Sequence, residues 1–472
     1  MAGTEGEFGL RRVLGLGDLV AIEVGTTIGA GVFSLTALAS ARTGPSTPLA
    51  YLAAAAPIVV LMLVVATLGS ALPTVGGAYR YPARLFSPRW AFAGVWCYAL
   101  GLVLGALPLC ATQCAHYLGA LWPGLPATPT AAALLTVFWA INLAGVSPAA
   151  VAQAVMVVVL VAALLVFGLG GLPTLEAARF TPLFPGGAGG FAIAGCILSF
   201  ALLGANAVIE LGAEVRRPAR DIPLSLLISV PLVAALYVLV SISAVGNIDR
   251  AAWAAAPDAT LAQPAAAFLS RPAFLFFLVG GAFLAFATTL NGIFLWSTRS
   301  LLVVAADGLL PAALTRTSRR GVPVAFLTIL WALSVLAVLA DAGVELFSAY
   351  ATVGGLVVFA PSMIAALLLR RRAPEAWAGA RFRLRGPWAS VAPIVGLVTI
   401  LLLATLLLGD LGLRSLPFLG WLVAGLGFWE WRRRAVERRT GVTTEEAARM
   451  DLERMVGAAR EGRERATTDG PR

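Results

Sequence analysis

The chain has no lysine; all 34 basic residues among its 472 are arginine. It has one histidine, His116, and four cysteines, and charged residues fill only 12% of positions. Each shortage excludes something. With 59% hydrophobic residues and a mean hydropathy of +0.89, so few charges cannot cover the apolar side chains of a water-soluble fold. A single histidine leaves no HExxH helix and no convincing Ser/His/Asp set, and there is no P-loop, so the chain does not read as an enzyme. Cys97, Cys110, Cys114 and Cys196 lie in apolar segments and read as packing residues, not as a disulfide framework or a metal site. The apolar runs do not alternate with polar residues, which excludes the strands of a membrane barrel. No leader with a cleavage site is evident: "MAGTEGEFGLRR" is short and polar, and an apolar run follows directly.

What is present is a series of apolar runs of about 20 residues, each long enough to cross a hydrocarbon core of about 30 Å. Spanning segments that do not form barrels must be helices. The expected fold class is all-α, a polytopic membrane protein of about 12 transmembrane helices, counted by apolar run. The runs fall near 16–41, 48–71, 90–119, 130–146, 148–171, 190–212, 223–246, 272–305, 323–341, 345–370, 390–409 and 413–431. The net charge of +10 reads as topology, with no nucleic-acid partner, because the arginines gather in a few loops and the tail. If the N-terminus is cytoplasmic, the inner loops hold Arg11, Arg12, Arg80, Arg84, Arg89, Arg216, Arg217, Arg220, Arg316, Arg319, Arg320 and the group from Arg370 to Arg385. The outer loops then hold only Arg42, Arg179, Arg250, Arg271 and Arg414. That asymmetry predicts a plasma-membrane protein with both termini in the cytoplasm. Residues 1–15 are a cytosolic N-terminus, 16–431 the transmembrane domain, and 432–472 a charged cytosolic tail. In the tail, Thr443 and Glu446 have the spacing of a capping box. The tail reads as a solvated segment near anionic head groups, with a short helix.

Two of the runs are oddly loosened. The first carries "GTTIGAGVF" and the sixth "SFALLGANAVIE", and each opens a set of about five runs. Interrupted helices at corresponding positions of two halves point to the binding site of a secondary transporter. An unwound stretch at membrane depth exposes N–H and C=O groups that lipid cannot satisfy, so it persists only facing protein, water or a ligand. Amides at Gly29, Ala30 and Gly31 would favour a carboxylate. Carbonyls at half-helix C-terminal ends would favour an ammonium, so a zwitterionic amino acid matches both. The alternative is that these glycines serve close helix packing, since Gly25 and Gly29 have small-xxx-small spacing.

Four segments carry a family resemblance. "GLGDLVAIEVGTTIGAGVF", "LPTVGGAYRYPARLFSPRW", "SFALLGANAVIELGAEVRRPARDIPLSL" and "STRSLLVVAADGLLPAALTRTSRRGVPV" occur in this order. They resemble the first helix, the loop after the second, the sixth helix and the eighth helix of the amino acid–polyamine–organocation superfamily of transporters, and the likeness runs to about Trp431. The resemblance implies two inverted five-helix repeats (about 16–171 and 190–370), two added helices (about 390–431) and alternating access around a midplane site. Carried over by position, Thr26, Thr27, Ile28, Gly29, Ala30 and Gly31 would hold the substrate carboxylate. Phe200, Ala201, Leu202 and Gly204 would face the ammonium and side chain, and Asn206 stands where many relatives have an acid.

Some proton-coupled relatives carry a lysine in helix five; the matching position here is Leu160, so coupling by that amine is excluded. Glu23 and Glu210, each beside a presumed break, are candidates for carrying a proton, since ionisable groups within spans are costly. Each has an alternative role as the structural partner of a backbone amide or an arginine. Glu214 reads as a partner of Arg216, Arg217 or Arg220, and Arg299 as a snorkelling residue. Thr288 and Thr289 could join helix-one carbonyls around sodium, as in sodium-coupled relatives, or bond their own backbone. The pocket segments, with Ile28, Leu202 and Leu203 and then Val103 and Leu107, are apolar, so the expected partner is an uncharged or apolar amino acid. A cationic amino acid or polyamine becomes competitive if a glutamate faces the pocket. Proton symport or exchange is the first reading, with sodium symport and a non-transporting sensor as the others. No cofactor is implied, and the sequence does not set an oligomeric state.

Overall fold

The computed structural model describes residues 12, 14–143, 149–249, 251, 260–316, 318 and 322–468. Among them there is no strand; two isolated bridges, Leu14 with Val215 and Val75 with Leu211, tie loops together. The main helices begin with α1 (Leu16–Thr27), α2 (Ala30–Thr43), α3 (Thr47–Ala71), α4 (Gly77–Leu85), α5 (Pro88–Gly101), α6 (Leu107–Leu121), α7 (Ala127–Leu143), α8 (Ala149–Gly170) and α9 (Gly187–Phe200). Next come α10 (Pro218–Asn247), α11 (Leu284–Ala306), α12 (Val324–Leu339), α13 (Val344–Val357), α14 (Ala360–Arg372), α15 (Trp388–Leu411), α16 (Leu416–Thr440) and α17 (Thr444–Thr468).

Eight stretches of the described residues are long and apolar enough to cross a membrane, and three shorter apolar helices accompany them. The difference from twelve runs is one of length. Helix α7 has 17 residues, about 26 Å at 1.5 Å per residue. Conversely, one continuous apolar stretch from Trp388 to Thr440 holds both α15 and α16. The chain is a multi-pass helical membrane protein. Its outward face is apolar: Val158, Leu336, Val398 and Val423 are all more than half exposed, as side chains meant for lipid would be.

Two long helices are interrupted by π-helical turns, Leu102–Ala106 between α5 and α6 and Phe277–Phe283 just before α11. A π turn inserts an extra residue and rotates everything beyond it. The tail differs from expectation. Helix α16 runs past Trp431 to Thr440, and α17 is a long helix. The capping box forms: the Glu446 N–H donates to Thr443 Oγ1 (3.2 Å) and the Thr443 N–H to Glu446 Oε2 (3.0 Å). Helix α17 is not simply solvated, however. Ala448, Leu452 and Met455, at helical spacing, are buried. Asp451, on the same face, accepts from Arg80 (3.0 and 2.9 Å) and Arg84 (2.7 Å) of α4. Arg84 also grips Asp307 through two parallel bonds of 2.8 and 2.7 Å. Burial pushes the Asp451 carboxyl up, but the Arg80 and Arg84 guanidinium groups outweigh it and hold it below the usual aspartate range.

Candidate functional site

The break in the first long helix lies between α1 and α2. Ile28 (ψ 17°) ends α1, and Gly29 (ψ −123°) turns the chain out of helical geometry. Helix α2 then starts without a side-chain cap, leaving its first-turn amides for another acceptor. The second break follows α9. The chain passes through a tight turn, Leu203–Asn206, and one helical turn, Ala207–Glu210.

The two breaks touch. A Cβ on Gly204 would lie 2.5 Å from the Thr26 carbonyl oxygen, so only glycine allows this approach. A Cβ on Gly29 would collide with Thr289 Oγ1 of α11. Thr26 Oγ1 lies 2.9 Å from the Gly204 carbonyl, crossing from one break to the other. Tyr237 Oη of α10 lies 2.7 Å from the Thr27 carbonyl and 3.1 Å from that of Ala201, one from each broken helix. Carbonyls that helix geometry has released are thus held by protein hydroxyls. Gly25 O is another: Thr288 Oγ1 (3.1 Å) and Thr289 Oγ1 (3.4 Å) converge on it. Thr288 Oγ1 also lies 2.9 Å from Ala285 O of its own helix, the backbone bond expected as its alternative role.

A cavity of about 40 Å³ opens at this junction. That admits water but not an amino acid, so binding a solute requires the walls to part. Of the residues singled out by sequence, Thr26, Thr27, Gly31, Ala201, Leu203, Gly204 and Thr289 line it. Ile28, Gly29 and Leu202 sit beside it, and the side chains of Ala30, Phe200 and Asn206 lie outside the described residues. On the helix-three wall the lining residues are Leu102 and Ala106, each one position before the expected Val103 and Leu107. Leu102 and Ala106 are the first and last residues of the π turn and follow Tyr98 at four-residue spacing. Tyr98 and Trp296, stacked at 5.8 Å, also line the cavity; sequence reasoning missed them, and Tyr237 too. The available signal was a polar-tipped aromatic inside an apolar run, which needs a partner when buried.

The two glutamates lie off the cavity. Glu23 is fully buried and accepts from Ser225 Oγ (2.6 Å) and Ser229 Oγ (2.5 Å) of α10. Its own carbonyl accepts from Thr27 Oγ1 at 2.5 Å. Glu210 accepts from Ser300 Oγ (3.0 and 2.9 Å) and from the Ala78 N–H at the start of α4 (3.2 Å). Glu214 pairs with Arg299 (3.4 Å), not with the arginines that follow it; Arg217 lies instead 3.7 Å from Asp221. The extended loop carries Glu214 back toward α11, a geometry that sequence proximity does not convey. The α8 side chains nearest Gly25 are Gln153 and Val157, about two turns and one turn before Leu160.

Comparison with known proteins agrees with this architecture. Residues 14–428 match the family model described as "Amino acid permease". The chain is 30% identical over 392 residues to "Cationic amino acid transporter 2, vacuolar" of Arabidopsis thaliana, covering 78% of this chain and 61% of that protein. It is 28% identical over 396 residues to "Cationic amino acid transporter 4, vacuolar" of the same plant, with 79% and 65% covered. The chain therefore spans less than two thirds of the length of these plant relatives. To "Branched-chain amino acid permease BcaP" of Bacillus subtilis it is 25% identical over 447 residues, 90% of this chain and 94% of that one. A helix interrupted at "GTTIGAG", a second at "SFALLGAN" touching it, and a family match over most of the length lead to one assignment: the chain belongs to the amino acid permease family of the amino acid–polyamine–organocation superfamily.

Proposed function

We propose that the chain is a secondary active transporter that moves neutral amino acids across the plasma membrane by alternating access, coupled to protons, with both termini cytoplasmic. The observation that carries this reading is the meeting of the two interrupted helices at one buried cavity. The uncapped amides of α2 suit a carboxylate. Carbonyls of Thr27 and Ala201, which share the one Tyr237 hydroxyl, and of Gly204, near the Thr26 hydroxyl, suit an ammonium. Among the described residues that line the cavity there is no carboxylate, guanidinium or imidazole, which favours a neutral side chain. A transporter for cationic substrates would place a carboxylate there. The relatives' names include both cationic and branched-chain substrates, and the uncharged cavity lining supports the neutral reading.

For coupling, Glu23 is the favoured group. It is buried within α1, next to the break, and its partners are neutral hydroxyls. An unpaired carboxyl inside a span is a proton-relay candidate by default. Sodium symport is a second reading, favoured by Thr288 and Thr289 aimed at Gly25 O with hard oxygen atoms.

The test is reconstituted protein in liposomes with common amino acids and polyamines as competitors. Neutral amino acids are expected to compete, and replacing sodium with choline is expected to leave uptake unchanged. Competition confined to arginine or polyamines would overturn the neutral reading. Loss of uptake in choline would move coupling to the threonines. Binding without flux would make the protein a sensor.

A further inference from the structure

We propose that Ser225 and Ser229 are positioning residues that clasp α1 to α10 through Glu23, and that a proton on Glu23 weakens this clasp. The proposal rests on Glu23 as the proton carrier. The two serines are four residues apart, one turn of α10, and so present both hydroxyls to one carboxylate. Ser225 Oγ donates to Oε1 at 2.6 Å and Ser229 Oγ to Oε2 at 2.5 Å. All three side chains are buried.

Other charged groups are engaged elsewhere. Among the described residues, α8 and the Leu203–Asn206 turn bring no charge against α1, and Gln153 of α8 lies against Gly25. Glu210 is held by Ser300 and Ala78, and Arg299 of α11 faces Glu214. Asp221, one turn before Ser225, lies near Arg217. Asp18 of α1 accepts from the Gly15 N–H. None of these ion-pairs or hydrogen-bonds with the Glu23 carboxylate.

The chemistry of the clasp comes from donor counting. A carboxylate accepts from both serines, and both bonds are charge-assisted. When a proton bonds to Oε1, that oxygen becomes a donor and two donors face each other. Ser225 resolves this without leaving its place, because the Ile222 carbonyl already lies 2.9 Å from its Oγ. Its O–H turns to Ile222 O, and Glu23 Oε1–H donates to Ser225 Oγ. Ser229 goes on donating to Oε2. No bond between the helices is lost, but both become neutral ones, roughly half as strong. The Thr27 hydroxyl on the Glu23 carbonyl ties this change to the residue next to the break. The proton is thereby felt by helix one without entering the cavity.

The experiment is infrared difference spectroscopy of the purified full chain across pH, following the C=O stretch of protonated carboxyls. The component that vanishes in Glu23→Gln is assigned to Glu23. Hydroxyl donors favour the charged form, so removing one makes the proton leave at higher pH. In Ser225→Ala and Ser229→Ala the midpoint is expected to rise by about one pH unit, the effect of losing one bond to a charged group. The Thr variants, which keep the hydroxyl, are expected to return it. A midpoint that stays put in both Ala variants overturns the clasp. A spectrum unchanged by Glu23→Gln overturns Glu23 as a titrating group. Absence of amino acid flux from the same protein, with the midpoint still moving, would sink the transport reading alone.

Discussion

Glu23 and Glu210 invite comparison. Both are buried, both sit beside an interrupted helix, and both were equal candidates in the sequence. Their surroundings part them. Glu210 is fastened to the backbone N–H of Ala78 in the first turn of α4, where a negative charge is also favoured by the helix dipole. Its own carbonyl accepts from the Gly76 N–H at 3.3 Å. A backbone donor cannot turn away, so Glu210 reads as a fixed cap that anchors α4. Glu23 is held only by side-chain hydroxyls, which can exchange donor and acceptor roles. Glu210 shares with Glu23 a serine hydroxyl, that of Ser300, and differs in having a backbone donor as well; the working part proposed for Glu23 rests on that difference.

Four experiments bear on this contrast. The largest effect is expected from Glu23→Gln: uptake driven by a pH gradient falls by on the order of 100-fold, the scale of a lost proton-transfer group, while exchange persists. Full proton-driven uptake in that variant would remove Glu23 from coupling. For Glu210→Ala the loss should be in stability instead, about 2–3 kcal/mol from stranding a buried backbone donor, read as thermal unfolding in detergent. A stable Glu210→Ala protein with altered pH dependence would reverse the two roles.

A smaller effect is expected from Asp451→Asn, about 1–2 kcal/mol, seen as faster proteolysis of α17. The depressed pKa of Asp451 fixes the sign with pH. Docking contributes fully above the ordinary aspartate pKa of about 4 and is lost as pH falls through the lower folded value. Protection of α17 that weakened on going alkaline would contradict this. The smallest change is expected for Tyr237→Phe, about 1 kcal/mol, as a modest loss of thermal stability, because water can replace one hydroxyl at the junction.

Much of the fold was legible because lipid imposes simple rules. Apolar run length located the helices, and glycine-rich stretches marked both interruptions. That Thr26, Gly31, Ala201 and Gly204 would share a wall was implied by the family resemblance, carried over by position. What was not legible depends on contacts distant in the chain or on helix register. Ser225 and Ser229 lie about 200 residues from Glu23 and look like ordinary helix serines. Which face of helix three lines the cavity, Leu102 and Ala106 in place of Val103 and Leu107, depended on how that helix is rotated against its neighbours, which an all-apolar run does not mark. The pairing of Glu214 with Arg299 required the course of a loop. The docking of α17 depended on Asp451 sharing a face with Leu452 and Met455, a pattern easily mistaken for a solvated helix.

The family match stops at residue 428, yet α17 returns to cover Arg80, Arg84 and an apolar strip beneath it. Trimming the protein to its matched region would therefore bare two guanidinium groups and a greasy seam at once. A reporter domain is better joined beyond Thr468 than in place of those last helices.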